Sequence, residues 1–170
     1  MYKIYRIFFF CFIIFFHSSA YSAEQKIVYL NLDQIFQNSM PGSLILEELK
    51  NKKKENIEKL KLKENDLRKQ EQDLIAKKNI ISKEEFNAKA LALSEKMKIY
   101  NKEREQTLLK FEKEKKKKLN NFLSKVTPLI ETYVKNNSIN IVLNEKNLFI
   151  ASKNFDITSQ IIEIVNKNIK

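Results

Sequence analysis

The chain has 170 residues, with 32 Lys and Arg against 21 Asp and Glu and a formal net charge of +11. It holds one glycine, two prolines, one cysteine, one histidine and no tryptophan. Such sparse turn formers, with 31% charged residues, argue against a turn-rich compact globule and for long helices.

At the N-terminus, Lys3 and Arg6 precede an apolar run from Ile7 to Phe16, and the small residues Ser18, Ser19, Ala20 and Ser22 follow. That order is the pattern of a secretory signal peptide, since a membrane span needs roughly 20 apolar residues and this run has about half. Residues 1–22 are therefore expected to be removed, by a cut after Ala20 or Ser22, and Cys11 lies too deep in the apolar run for a lipidation site. Cys11 and His17 leave with the leader. The mature chain then has no disulfide, no zinc site built on Cys or His, no thiol nucleophile and no Ser-His-Asp arrangement. The carboxylates lie mostly in lysine-rich stretches rather than in an enclosed pair, so neither an enzyme nor a cofactor is expected.

Ile27 to Leu32 reads as a strand that ends at Asp33, followed by an N-capped turn of helix through Ile35 and Phe36, with a break at Pro41-Gly42. From Ser43 to Thr127 there is no Gly or Pro, and apolar residues recur on sevens at Leu46, Leu60, Leu67, Leu74 and Ile81, with Lys53 in the missing slot. After Leu49 the companion positions are polar (Asn56, Lys63, Gln70, Lys77), so the stripe is narrow enough for one helix-helix contact only. Ser82 and Glu85 have capping-box spacing and place a reversal near residues 79–82. A second series follows at Phe86, Ala90, Leu93, Met97, Tyr100, Arg104, Thr107 and Phe111, which predicts an antiparallel hairpin. One uninterrupted helix is the competing picture, because Asn79 and Ser82 weaken helicity without forbidding it. Beyond Phe111 the pattern resumes one residue out of step at Leu119, Phe122, Val126, Leu129 and Tyr133, and Pro128 is expected to kink or break the helix near Thr127.

Asn136-Asn137 favour a helix stop. Ile139 to Leu143 and Leu148 to Ala151 then read as a β-hairpin around a four-residue loop, and Asp156 as the cap of a final helix bearing Ile157, Ile161, Ile162, Ile164, Val165 and Ile169. The expected fold class is α+β dominated by long helices. A β-rich body (23–42 and 136–170) would form an oligomeric, barrel-like hub from which an antiparallel coiled-coil hairpin (43–135) protrudes. Residues 43–135 hold 25 Lys/Arg against 16 Asp/Glu, while the body holds 5 against 5, so the positive excess belongs to the arm. A body this small, with no staple and with apolar strand edges, is expected to form a homo-oligomer. Ile27, Tyr29, Leu30, Ile141, Leu143 and Phe149 are the candidate oligomerisation residues.

The opening segment Lys26 to Phe36, the stretch Ile81-Ser82-Lys83-Glu84-Glu85-Phe86, and the Ile139 to Ala151 segment followed by Asp156-Ile157-Thr158 resemble the Skp/OmpH family of periplasmic chaperones, across essentially the whole mature chain. The resemblance implies a trimer whose strands join into a central body. Its three helical hairpins would surround a cavity that holds unfolded outer-membrane proteins without ATP. No lipopolysaccharide motif is carried over. Ile75, Ile80, Ile81, Leu91, Ile99 and Leu108, with Lys77, Lys78 and Lys83, are candidate client contacts, although packing between the arm helices is the plainer expectation for most of the apolar ones. Basic arms would also suit an anionic lipid or membrane surface. Two rival functions are a basic coiled coil on nucleic acid and a passive envelope tether. Export and the scarcity of arginine, Arg68 and Arg104 alone in the arm, leave no specific nucleic acid among the expected partners.

Overall fold

The computed structural model describes residues 25–169; the leader, both candidate cut sites and Lys170 lie outside them. In order along the chain come β1 (Ile27–Leu30), α1 (Leu32–Asn38), α2 (Met40–Ala76), α3 (Lys83–Asn136), β2 (Ile141–Asn144), two short 3-10 turns (Glu145–Asn147 and Lys153–Phe155) and α4 (Thr158–Asn168).

The two long helices form the expected hairpin. Ser82 caps α3 by accepting the Glu85 N–H at 3.1 Å, but the Glu85 carboxylate pairs with Lys89 at 2.7 Å, so only half of the capping box is used. Antiparallel register is fixed by cross-helix contacts: Lys118 to Glu48 at 2.8 Å, Lys63 to Glu103 at 2.5 Å and Lys96 to Gln70 at 2.7 Å. At about 1.5 Å per residue, α2 is roughly 55 Å long and α3 roughly 80 Å.

Several local expectations are corrected. Pro41-Gly42 does not end a segment; it starts one. Ser39 caps α2 and Pro41 sits in its first turn, where a missing N–H costs nothing because that group has no intrahelical partner. The cap of α1 is Asn31, which accepts the Gln34 N–H, and Asp33 lies inside the first turn. Helix α3 runs unbroken past Pro128 to Asn136. Pro128 and Ser124 are both exposed, so the carbonyl that loses its donor faces water. Asp156 accepts the Thr158 N–H at 2.9 Å from one position before the cap of α4, which is Ile157 and has no side-chain cap bond.

The largest correction concerns the sheet. Among the described residues there is no β-hairpin and no third strand: β1 and β2 pair in parallel, in the register Ile27 with Ile141 through Leu30 with Asn144. Parallel neighbours need a long crossover, and here the whole helical arm supplies it. Beyond β2 the chain turns into a 3-10 turn instead of folding back, and residues 149–151 make no backbone hydrogen bond to another described residue. On its other side β1 meets the chain at a single bridge, Tyr29 with Asp156.

One face of this ribbon is dry. Val28 and Leu30 join Ile35, Phe122, Val126, Ile139, Ile157, Ile161 and Val165 in the core, with Phe36 and Phe122 edge to face at 4.9 Å. The core thus takes in the base of α3, from Phe122 to Val134, which a division at residue 135 assigns to the arm. It does so because the offset apolar series beyond Phe111 turns that stretch towards β1 and α4.

Two backbone details hold the junctions. A Cβ on Gly42 would lie 1.9 Å from the Phe36 carbonyl oxygen, so the α1–α2 corner closes only around hydrogen. At the end of α3, Ser138 takes the left-handed conformation (φ 53°), with the Ile139 N–H reaching the Val134 carbonyl and the Ser138 N–H that of Lys135. That pattern is a Schellman cap, a site where glycine is favoured.

Gly42→Ala is expected to cost about 2–3 kcal/mol or more, because a backbone carbonyl has to move. Ser138→Gly is expected to stabilise by up to about 1 kcal/mol by relieving left-handed strain. Urea unfolding followed by circular dichroism measures both, and an unchanged midpoint for either variant contradicts its assignment.

Candidate functional site

The arm is a two-helix ribbon, and its seam is only partly apolar. Leu49 near the base and Leu93 near the tip are buried, whereas Leu60, Leu67, Leu74, Phe86 and Phe111 are half-buried. Polar residues occupy the seam between them, with Asn56 and Gln70 half-buried and Tyr100 donating to Glu64 at 3.5 Å. Arg104, expected in the seam, is exposed, and Glu103 takes the inward place through its bond to Lys63. A pair of helices that shares one seam leaves most of each helix in water. Ile75, Ile80, Leu91, Ile99 and Leu108 are therefore all exposed, contrary to the expectation that most would pack between the helices. Lys77, Lys78 and Lys83 are exposed as well, and only Ile81 is half-buried.

The exposed residues do not share one side. One groove between the helices, about 300 Å³, is lined by Glu64, Leu67, Arg68 and Glu71 of α2 and by Met97, Tyr100, Asn101 and Arg104 of α3. The groove on the opposite side, about 290 Å³, is lined by Lys63, Asp66, Gln70, Lys96, Ile99 and Glu103. Residues seven apart drift by only about 20° around a helix. Ile75 therefore lies on the side of Arg68, Ile57 on that of Glu64 and Leu108 on that of Asn101, while Ile99 is across the ribbon. Arg68 donates to Glu64 at 2.9 Å, and this hydrogen bond holds the Glu64 carboxyl below the usual carboxylate range, helped by the Tyr100 hydroxyl. Neither groove was foreseen from the sequence. Aligning the heptad columns of the two helices, rather than following the apolar seam alone, would have drawn attention to Arg68 and Arg104.

At the hub, strand pairing puts Ile27, Tyr29, Ile141 and Leu143 on the face turned away from the core. Ile27, Ile141 and Leu143 are exposed there, and Phe149 and Ile150 are almost wholly so. Tyr29, also a candidate oligomerisation residue, is buried within its own chain. Leu30 lies on the core side of the ribbon, so it packs inside the protomer and offers nothing to a neighbour. Burial raises the Tyr29 hydroxyl pKa, reinforced by the negative charges of Asp156 and Glu145.

A raised pKa in the folded chain means that the neutral hydroxyl's contribution is complete below about pH 10 and is lost as pH climbs through the folded value. Alkaline titration at fixed urea is expected to show a loss of helicity above pH 10 that Tyr29→Phe suppresses. Identical profiles for the two proteins would remove Tyr29 from the account.

The family model described as "Outer membrane protein (OmpH-like)" matches residues 26–165. The crystal structure of an OmpH-like protein of Caulobacter crescentus CB15, assigned as an outer membrane chaperone, superposes with a TM-score of 0.78 at 18% identity, covering 87% of this chain and 88% of that one. At that identity the superposition speaks for the fold. No curated protein matches the sequence. OmpH-like proteins are periplasmic chaperones rather than enzymes. The family match spans nearly all the described residues and the long-helix architecture agrees with it, so this chain belongs to the outer membrane protein (OmpH-like) family.

Proposed function

We propose that the protein is an ATP-independent periplasmic holdase. Three copies join through their small sheets, and the helical ribbons surround a cavity that keeps unfolded outer-membrane proteins from aggregating. Residues 1–22 direct export and are removed; 23–42 and 136–170, with the base of α3 from Phe122, supply the body, and the rest of 43–135 the arm.

The observation that carries this reading is an apolar sheet face left open on a neutral hub, joined to a cationic arm with exposed apolar residues. Ile27, Ile141, Leu143 and Phe149 cost solvation free energy in a lone chain, at about 25 cal/mol per Å² of apolar surface. The outer edge of β2 and the unpaired segment 149–151 add backbone groups that a strand of another copy would satisfy. A second and third copy laid on this edge would close the hub and set the arms side by side.

A holdase must grip many sequences weakly and release them without chemistry. Exposed Ile75, Ile80, Leu91, Ile99 and Leu108 supply scattered apolar contacts, and Lys77, Lys78 and Lys83 surround the tip with positive charge. Steering of negatively charged clients accelerates encounter and weakens with salt. The same charge would suit an anionic membrane surface, where clients are delivered.

Two measurements test the proposal. Sedimentation of the purified protein is expected to give a trimer, and Ile141→Asp with Phe149→Asp is expected to give monomers of unchanged helicity. Equimolar trimer is expected to keep an unfolded β-barrel protein soluble without nucleotide, and the monomeric variant to lose most of that activity. A wild-type monomer that leaves aggregation unaltered would end the holdase reading, as would tight binding to nucleic acid in its place.

A further inference from the structure

The described residues contain two arginines among many lysines, and both line the same groove of the ribbon. Arg68 comes from α2 and Arg104 from α3. Two of the Arg68 nitrogens, Nε and Nη2, are engaged by Glu64, which leaves the rest of its guanidinium free, and Arg104 has no ion-pair partner among the described residues. Leu67, Met97 and the Tyr100 ring also line the groove, together with the Glu64 and Glu71 carboxylates on the α2 side. The opposite groove differs: its cations are lysines, Lys63 ion-paired with Glu103 and Lys96 donating to the neutral Gln70 amide oxygen.

We propose that the two faces of the arm are not equivalent and that the Arg68/Arg104 groove is a recognition subsite for unfolded chain carrying an acidic residue next to an aromatic or large aliphatic one. This rests on the holdase reading and adds the chemistry of the client segment to it. The carboxylate sits against the free guanidinium nitrogens, and the neighbouring apolar side chain lies on Met97 and Tyr100. A planar guanidinium offers a fork of parallel N–H donors that matches both oxygens of a carboxylate, and it stacks on aromatic rings; an ammonium group does neither. The volume of about 300 Å³ is at the lower end for a small-ligand site, enough for one or two side chains but not for a folded element. Above and below the groove, exposed Ile75, Ile57 and Leu108 continue the same side, so an extended client has apolar footholds along it. Across the ribbon the cations are the ammonium groups of Lys63 and Lys96, which offer no such fork.

The test uses the purified protein and three fluorescent unstructured peptides of equal length, rich in Phe-Asp, Phe-Lys or Ser-Asp. Anisotropy is expected to show Phe-Asp bound about tenfold more tightly than either of the others. Arg68→Gln with Arg104→Gln is expected to lose about tenfold for Phe-Asp, while Arg68→Lys with Arg104→Lys, which keeps the charge and removes the fork, loses about threefold. Lys69→Gln with Lys96→Gln makes the same charge change elsewhere on the arm and is expected to leave the affinity within twofold. Equal losses from the arginine and lysine pairs, or no preference for Phe-Asp, would overturn the proposal. So would arginine variants that lose binding to anionic phospholipid vesicles while still holding the peptide. Aggregation of an unfolded β-barrel protein is followed in the same samples. If the wild type fails to suppress it, the holdase reading falls; if wild type and arginine variants both suppress it and bind Phe-Asp alike, only the groove assignment falls. Circular dichroism establishes that each variant keeps its helical content.

Discussion

The structure depends on one constraint: two long helices can share only one seam, and a shared seam hides only a narrow strip of each. A helix in a globular domain buries an apolar face at least about 100° wide, whereas a coiled-coil seam uses the narrower strip. Everything outside that strip in α2 and α3 must tolerate water, which is why the arm is lysine-rich. The same constraint leaves Ile57, Leu62, Ile75, Leu91, Ile99 and Leu108 exposed, since the seam has no room for them. Tertiary burial resumes only where α3 meets the hub, at Phe122 and Val126.

The hub faces the opposite difficulty. It has apolar surface to bury and too few elements to bury it. Helices α1 and α4 with the base of α3 cover one face of the two-strand ribbon, and its polar groups are well paired: the buried Ser39 hydroxyl accepts the Gly42 N–H, and the Thr158 hydroxyl accepts from Asn31 and donates to Asp156. On the other face only Tyr29 is covered, and Ile27, Ile141 and Leu143 stay exposed. Arm and hub therefore expose apolar groups for different reasons. In the arm these groups are scattered along a charged rod, and in the hub they are continuous with an unpaired strand edge.

How much of this was legible in the sequence follows from the range of the interactions involved. The hairpin arm was legible because heptad spacing and the Ser82 cap are local signals. Ile139 to Ala151 misled because alternating apolar residues around a four-residue gap carry the mark of a hairpin, and nothing local reports that β2 pairs in parallel with a strand more than a hundred residues earlier. Pro41 reads as a stop in sequence because proline both ends and begins helices, and only Ser39 before it, capping the Gly42 N–H, decides which. Pro128 reads as a kink or break in sequence because its exposure, which makes the lost hydrogen bond tolerable, depends on the tertiary fold. The grooves were missed because a seam search keeps the residues pointing inward and discards their neighbours, and Arg68, Asn101 and Arg104 are such neighbours.

The distribution of dry and wet contacts along the seam also orders its stability. Leu49 clamps the ribbon near the hub and Leu93 near the tip, while the stretch between them is bridged by the exposed Lys63–Glu103 ion pair, the Lys96–Gln70 hydrogen bond and residues that are no more than half-buried. Exposed pairs contribute little, typically between zero and about 1 kcal/mol each, and salt weakens them. Regions with few buried apolar contacts open first in the native state, so the middle of the arm separates more readily than either clamp. Both grooves that flank Tyr100 lie in that middle stretch. A ribbon closed at both ends and compliant between them would widen its grooves without fraying its tip, and under the proposed holdase reading that would let one fixed set of side chains receive chain segments of different size.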